Sequence, residues 1–177
     1  MKEYILNNIE ETRNFAREFA KTLRAPVCVA LHGDLGMGKS EIARTIIQSL
    51  RGENTVVPSP TFTIVQSYDG ISHFDLYRVN DASELVEIGL PYAIANDITL
   101  IEWPDIASDM LPENTIHASL IICGSWMEEH SGVWRKLPAC SELDSHIDGI
   151  LLIQRSLLVL VRYGFPGCGL SFCLQMA

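Results

Sequence analysis

A chain of 177 residues, 47% apolar and 20% charged, is long enough for one α/β domain with its own core and short for two. Its net charge of −9 argues against a protein that grips nucleic acid by itself, because phosphate backbones reward clusters of Lys and Arg. Five cysteines, an odd number with no CxxC pair and no N-terminal signal peptide, point to a reducing cytoplasm and free thiols.

Met1 to Ile5 reads as a short edge strand. Asn8-x-x-Glu11 has the form of a capping box. It opens a helix to about Leu23, with Phe15, Ala16, Phe19, Ala20 and Leu23 at helical spacing and Thr12 in its first turn. Val27-Cys28-Val29-Ala30-Leu31 is an unbroken apolar run, as in a buried parallel strand.

Next comes Gly33-Asp34-Leu35-Gly36-Met37-Gly38-Lys39-Ser40, which fits the phosphate-binding pattern G-x-x-x-x-G-K-[ST]. Its glycines allow positive φ and close backbone approach, so loop amides can face phosphate oxygens. In such a loop the lysine reaches the β and γ phosphates and the hydroxyl sits on Mg²⁺. A helix follows from Glu41, with Ile42, Ala43, Ile46, Ile47 and Leu50 on one face. Strand, loop and helix in this order disfavour the plain alternative, a glycine-rich turn with an incidental Lys-Ser. The candidate nucleotide set is therefore residues 33–40 together with Glu41.

Gly52 ends that helix, and Thr55-Val56-Val57 reads as a short strand. Two prolines flanking Ser59 stiffen the next loop and present Thr61, either as a nucleotide-sensing switch or as the start of the following strand. Thr61 to Tyr68 alternates, Asp69-Gly70 is a hairpin turn, and Ile71 to Arg78 returns. The hairpin carries His73, Asp75, Tyr77 and Arg78 toward the Ser59–Thr61 loop; a solvated strand face accounts for Asp75, Tyr77 and Arg78 equally well. Asp81-x-x-Glu84 opens another helix, and residues 91–96 make a further short one.

The second key stretch is Ile98-Thr99-Leu100-Ile101-Glu102-Trp103-Pro104, an apolar strand ending in an acid. Glu102 stands where a Walker B carboxylate holds Mg²⁺ or orients the attacking water. Trp103 either packs on the nucleotide site or covers the sheet end. Leu111 to Asn114 is a loop, Thr115 to Cys123 a last strand of the domain, and another is expected near 133–137, where Arg135 is a candidate cation. No N-K-x-D motif occurs, which favours adenine, or no base preference, over guanine.

The motifs GDLGMGKS, SPTF, HFDLYR and IEWP, in this order and at these spacings, closely resemble the bacterial TsaE (formerly YjeE) family. The resemblance runs from about residue 3 to about residue 122, and more loosely to Arg135-Lys136-Leu137. It implies an α/β fold of the P-loop NTPase type, a three-layer sandwich whose mostly parallel sheet carries an antiparallel hairpin insertion. It also implies a cytoplasmic, Mg²⁺-dependent ATPase, slow without partners, needed to make threonylcarbamoyladenosine at position 37 of tRNAs reading ANN codons. TsaD-like and TsaB-like proteins are the expected partners, with tRNA met indirectly through that complex and no membrane involved. By the same resemblance Lys39, Thr61, Asp75 and Glu102 would be catalytic, Ser40 and Glu102 would hold the metal, and Thr12, Trp103 and Arg135 would lie beside the nucleotide. Tyr77 and Arg78 would form a partner or switch surface.

Two other functions remain open: a small-molecule kinase, disfavoured by the lack of an Arg-rich lid segment, and a nucleotide-sensing adaptor without turnover, disfavoured by intact Lys39, Ser40 and Glu102. The expected domain is 1–140, with an atypical tail at 141–177. The tail's apolar residues match nothing in the family; a frame-shifted or read-through end explains them, with a packing extension or an oligomer contact as the alternative. Arg155 and Arg162 interrupt its apolar run, which argues against a membrane span.

Overall fold

The computed structural model describes residues 2–60, 63–123, 128–130, 133–135 and 156–163. In chain order the elements are β1 (Lys2–Leu6), α1 (Ile9–Ala20), β2 (Val27–His32), α2 (Lys39–Arg51), β3 (Val65–Tyr68), β4 (Ile71–Asp75), α3 (Glu84–Glu87) and α4 (Leu90–Asn96). They continue with β5 (Ile98–Glu102), a 3-10 helix (Pro104–Met110), β6 (Ile116–Cys123), β7 (Glu128–His130), β8 (Val133–Arg135) and β9 (Ser156–Tyr163).

The main sheet has the order β1-β9-β6-β2-β5-β4-β3. Its centre, β6-β2-β5-β4, is parallel, and the hairpin partner β3 runs antiparallel to β4 at the edge. On the other side β9 lies antiparallel between β6 and β1. Two cores flank the sheet. On one face Val29, Leu31, Leu100 and Ala118 meet Ala16, Phe19, Ile42 and Ile46 of α1 and α2. On the other, Cys28, Phe74 and Ile101 meet Leu85 of α3, Leu90 and Ala93 of α4, and Ala107. This is the expected three-layer α/β sandwich. The central strands read as continuous apolar runs because both of their faces are covered.

The local signals work mostly as expected. Asn8 Oδ1 accepts from the Glu11 amide at 2.9 Å, while the Glu11 carboxylate reaches one residue further back, to the Asn7 amide at 2.8 Å. The helix closes at Ala20, and Leu23 lies in the turn beyond it, its amide donating to the Ala20 carbonyl at 3.1 Å. Gly89, at φ 81°, divides the helical stretch after Asp81: it ends a single turn, α3, and starts α4.

Three expected strands differ. Residues 55–57 are loop, pinned where Arg44 Nε donates to the Val57 carbonyl at 3.1 Å. β3 begins only at Val65, because Thr63 and Ile64 both donate to the Pro60 carbonyl in a turn and Ile64 takes a φ of 64°. β4 ends at Asp75 rather than Arg78, since the chain turns there and Val79 donates to the Leu76 carbonyl at 3.0 Å. The 3-10 helix had no counterpart among the expected elements, and the strand expected near 133–137 is β8, paired with β7 in a separate two-stranded sheet.

Candidate phosphate-binding site

Register brings the chemistry together. In the parallel centre Glu102 stands opposite Leu31 on one side and Asp75 on the other. The loop after β2 and the acids ending β4 and β5 therefore share the carboxyl edge of the sheet, the edge where open α/β sheets bind ligands. A cleft of about 240 Å³ opens there, between residues 35–40 and Asp75, Tyr77, Glu102 and Trp103.

The loop is built by its glycines. Gly36 and Gly38 have φ of 82° and 92°, and Gly38 is the N-cap of α2. The Lys39 and Ser40 amides open α2 at the positive end of the helix dipole, ahead of the Glu41 and Ile42 amides, which donate to the Gly38 carbonyl at 3.1 and 3.0 Å. Gly33 serves a different purpose. At φ 137° it lies against β6, where a Cβ would come within 2.8 Å of the Leu120 carbonyl oxygen.

Lys39 is buried, and its ammonium donates to the carbonyls of Gly33 at 2.5 Å and Asp34 at 2.9 Å. Burial lowers its pKa from the ordinary lysine value; the charges of Glu102, Asp75 and Asp34 act in the opposite direction. The ammonium also lies 3.9 Å from the centre of a Trp103 ring. Trp103 holds a left-handed backbone, φ 56° and ψ 57°, although a bulky residue before proline disfavours it. Tyr77 packs on it at 4.9 Å between ring centroids.

Glu102 is 2% exposed and accepts from Ser40 Oγ at 2.8 Å through Oε2. That separation suits a small hard cation. Two neighbouring ligands of an octahedral Mg²⁺, each at about 2.0–2.1 Å, lie about 2.9 Å apart. Among the described residues no group of three or more His, Cys, Asp and Glu is arranged to hold a metal. Two protein oxygens are nevertheless enough for an ion whose other ligands are water and phosphate.

Asp75, another expected site residue, is buried at the end of β4, and its Oδ1 accepts from the Tyr77 amide at 3.1 Å. Leu35 is exposed at the cleft, and Met37 packs toward the core. The Glu41 carboxylate is held by two arginines: it accepts from Arg13 Nε at 2.8 Å and Arg44 Nη1 at 2.6 Å. Burial acts to raise the Glu41 pKa, but Arg13 and Arg44 outweigh it and hold the carboxyl below its ordinary value. Thr12 is buried in α1 with its hydroxyl on the Asn8 carbonyl at 3.1 Å, and it does not line the cleft. Arg135 is in β8, and its side chain lies outside what is described. Thr61 lies outside the described residues. The sequence places His73 on the hairpin with Asp75 but gives it no role in the site. His73, 1% exposed on β4, places Nε2 at 2.9 Å from Glu102 Oε1. Its spacing of two from Asp75, which puts both on one strand face, was the available signal.

The chain matches the model of the family described as threonylcarbamoyl adenosine biosynthesis protein TsaE over residues 6–125. The chain belongs to the TsaE family. It is 46% identical over 120 residues to the TsaE of Rickettsia bellii, covering 66% of this chain and 83% of that one. It is 35% identical over 114 residues to the TsaE of Bacillus subtilis, covering 62% of this chain and 70% of that one. Both relatives are named as tRNA threonylcarbamoyladenosine biosynthesis proteins. Among solved structures, the crystal structure of Bacillus subtilis YdiB superposes with a TM-score of 0.60 at 19% identity, over 92% of this chain and 86% of that one, a likeness of fold. Family and P-loop-like fold together point to nucleotide binding in tRNA threonylcarbamoyladenosine biosynthesis. Among the described residues no helix is long and apolar enough to cross a membrane.

Proposed function

We propose that this TsaE-family chain binds ATP with Mg²⁺ and hydrolyses it slowly, as a cytoplasmic accessory protein of a TsaD–TsaB complex that forms threonylcarbamoyladenosine at position 37 of tRNAs reading ANN codons. The observation that carries the ATP part is the pairing of Ser40 Oγ with Glu102 Oε2 at 2.8 Å at the mouth of the phosphate loop. The amides opening α2 and the Lys39 ammonium bind the polyphosphate. Ser40 and Glu102 would hold the metal, which neutralises charge on the phosphates when bound. Lys39 leaves the Gly33 and Asp34 carbonyls to reach the phosphates, and Trp103 and Tyr77 shield the cleft from water. Catalysis is positioning plus charge neutralisation. The net charge of −9 supports contact with tRNA through the partners rather than by this chain.

The test is phosphate release from Mg-ATP by the chain alone and with purified TsaB and TsaD, beside a Lys39→Ala control. Release stimulated by the pair and lost in the control is expected. Release indifferent to the pair would refute the partner assignment, and binding without release would leave a nucleotide-sensing adaptor.

A further inference from the structure

Glu102 offers two oxygens, and each meets a different donor: Ser40 Oγ at 2.8 Å on Oε2 and His73 Nε2 at 2.9 Å on Oε1. His73 and Glu102 are both buried, at 1% and 2% exposure. Among the described residues the other ring nitrogen of His73, Nδ1, has no hydrogen-bond partner. A proton on that nitrogen would be a buried donor with no acceptor, an expensive arrangement. The lone pair belongs there instead, which puts the imidazole proton on Nε2, facing the carboxylate.

We propose that His73 is a positioning residue for the metal site, a role that rests on the Mg-nucleotide reading of the cleft. Its Nε2–H clamps Glu102 Oε1 and so presents Oε2 to the cation beside Ser40. The backbone makes the clamp rigid. β4 and β5 are adjacent parallel strands, with His73 opposite Leu100 and Asp75 opposite Glu102. The Leu76 amide also donates to the Glu102 carbonyl at 3.0 Å, fixing the strand end from which the carboxylate projects. Without the imidazole, Glu102 would lose one of the two bonds that hold its plane. Outer partners of metal ligands typically change metal affinity about 10–100-fold when removed.

The experiment is binding of Mn²⁺, followed by electron paramagnetic resonance, to the full chain with a non-hydrolysable ATP analogue. It compares the unmodified chain, H73F, H73Q, E102A and the double variant H73F/E102A, with metal-free nucleotide affinity in EDTA measured beside it. The expected result is Mn²⁺ affinity about tenfold or more weaker in H73F and largely restored in H73Q, whose amide can donate from the position of Nε2. Metal-free nucleotide affinity should be unchanged, and H73F should have no further effect in the E102A background. If H73F does not fold, H73N, whose shorter amide cannot reach Glu102, carries the same expectation. Unaltered Mn²⁺ affinity in folded H73F or H73N would overturn the role of His73 alone. Failure of the unmodified chain to bind Mn²⁺ with the nucleotide would overturn the metal-site reading beneath it as well.

Discussion

Replacing Gly33 and Gly36 by alanine, one at a time, separates two jobs that a phosphate-loop motif merges. Gly36 has φ 82° with nothing within 4 Å of an added Cβ, so the substitution carries backbone strain alone, about 1–2 kcal/mol. Gly33 combines a φ of 137° with a Cβ position 2.8 Å from the Leu120 carbonyl oxygen and 3.2 Å from Leu120 Cβ. Strain of about 1–3 kcal/mol then adds to about 1–3 kcal/mol for forcing volume against a packed strand. The sum, about 4 kcal/mol, is a large share of the ordinary 5–15 kcal/mol of a folded domain, and corresponds to a melting point about 8–16 °C lower. Urea melts of the nucleotide-free proteins, followed by circular dichroism, measure both changes. Gly33→Ala should lose about 2–3 kcal/mol more than Gly36→Ala, with an unchanged dependence on urea. Stabilities for the two variants within about 0.5 kcal/mol of each other would refute the packing role of Gly33.

Ser40→Ala removes the hydroxyl paired with Glu102 while leaving the loop backbone in place. Nucleotide affinity in EDTA should change little, whereas its strengthening by Mg²⁺ should fall about tenfold or more; calorimetry with and without Mg²⁺ reads both. Burial pushes the Cys28 thiol up to about 12, so the native protein should leave Cys28 unalkylated by iodoacetamide at pH 8 while denatured chains react, as read by peptide mass mapping. A raised pKa makes the native state hold its proton longer than the unfolded chain does. The contribution of Cys28 to stability is therefore complete below the ordinary thiol pKa of 9.0 and lost as pH rises toward 12, and Cys28→Ala should flatten that part of the stability curve.

The apolar runs of β2 and β5 were legible because a central parallel strand is buried on both faces and admits no charged residue until its end. Glu102 stood out as that end. The hairpin turn at Asp69-Gly70 was legible for a similarly local reason, a dipeptide suited to positive φ, and both residues take it. The truncated β3 and β4 were not. Ile64 at φ 64° is a conformation that a β-branched residue avoids on its own, so its propensity argued for a strand that the turn at Pro60 prevents. The Glu41 carboxylate was not legible either: it is engaged by Arg13, 28 positions away on α1, a contact that sequence spacing does not show.

What the chain carries in short stretches was determined by sequence alone: the phosphate loop with its flanking strand and helix, and an acid closing an apolar strand. These arise from backbone sterics and burial, which act over a few residues. Which acid meets which hydroxyl was decided only by tertiary structure. Ser40 and Glu102 are 62 positions apart, and His73 and Glu102 are 29 apart. They meet because β2, β5 and β4 lie side by side in parallel register, so each strand delivers its final side chains to one edge. The division of labour between Gly33 and Gly36 was decided in the same way, since only the neighbouring β6 makes a side chain at residue 33 collide.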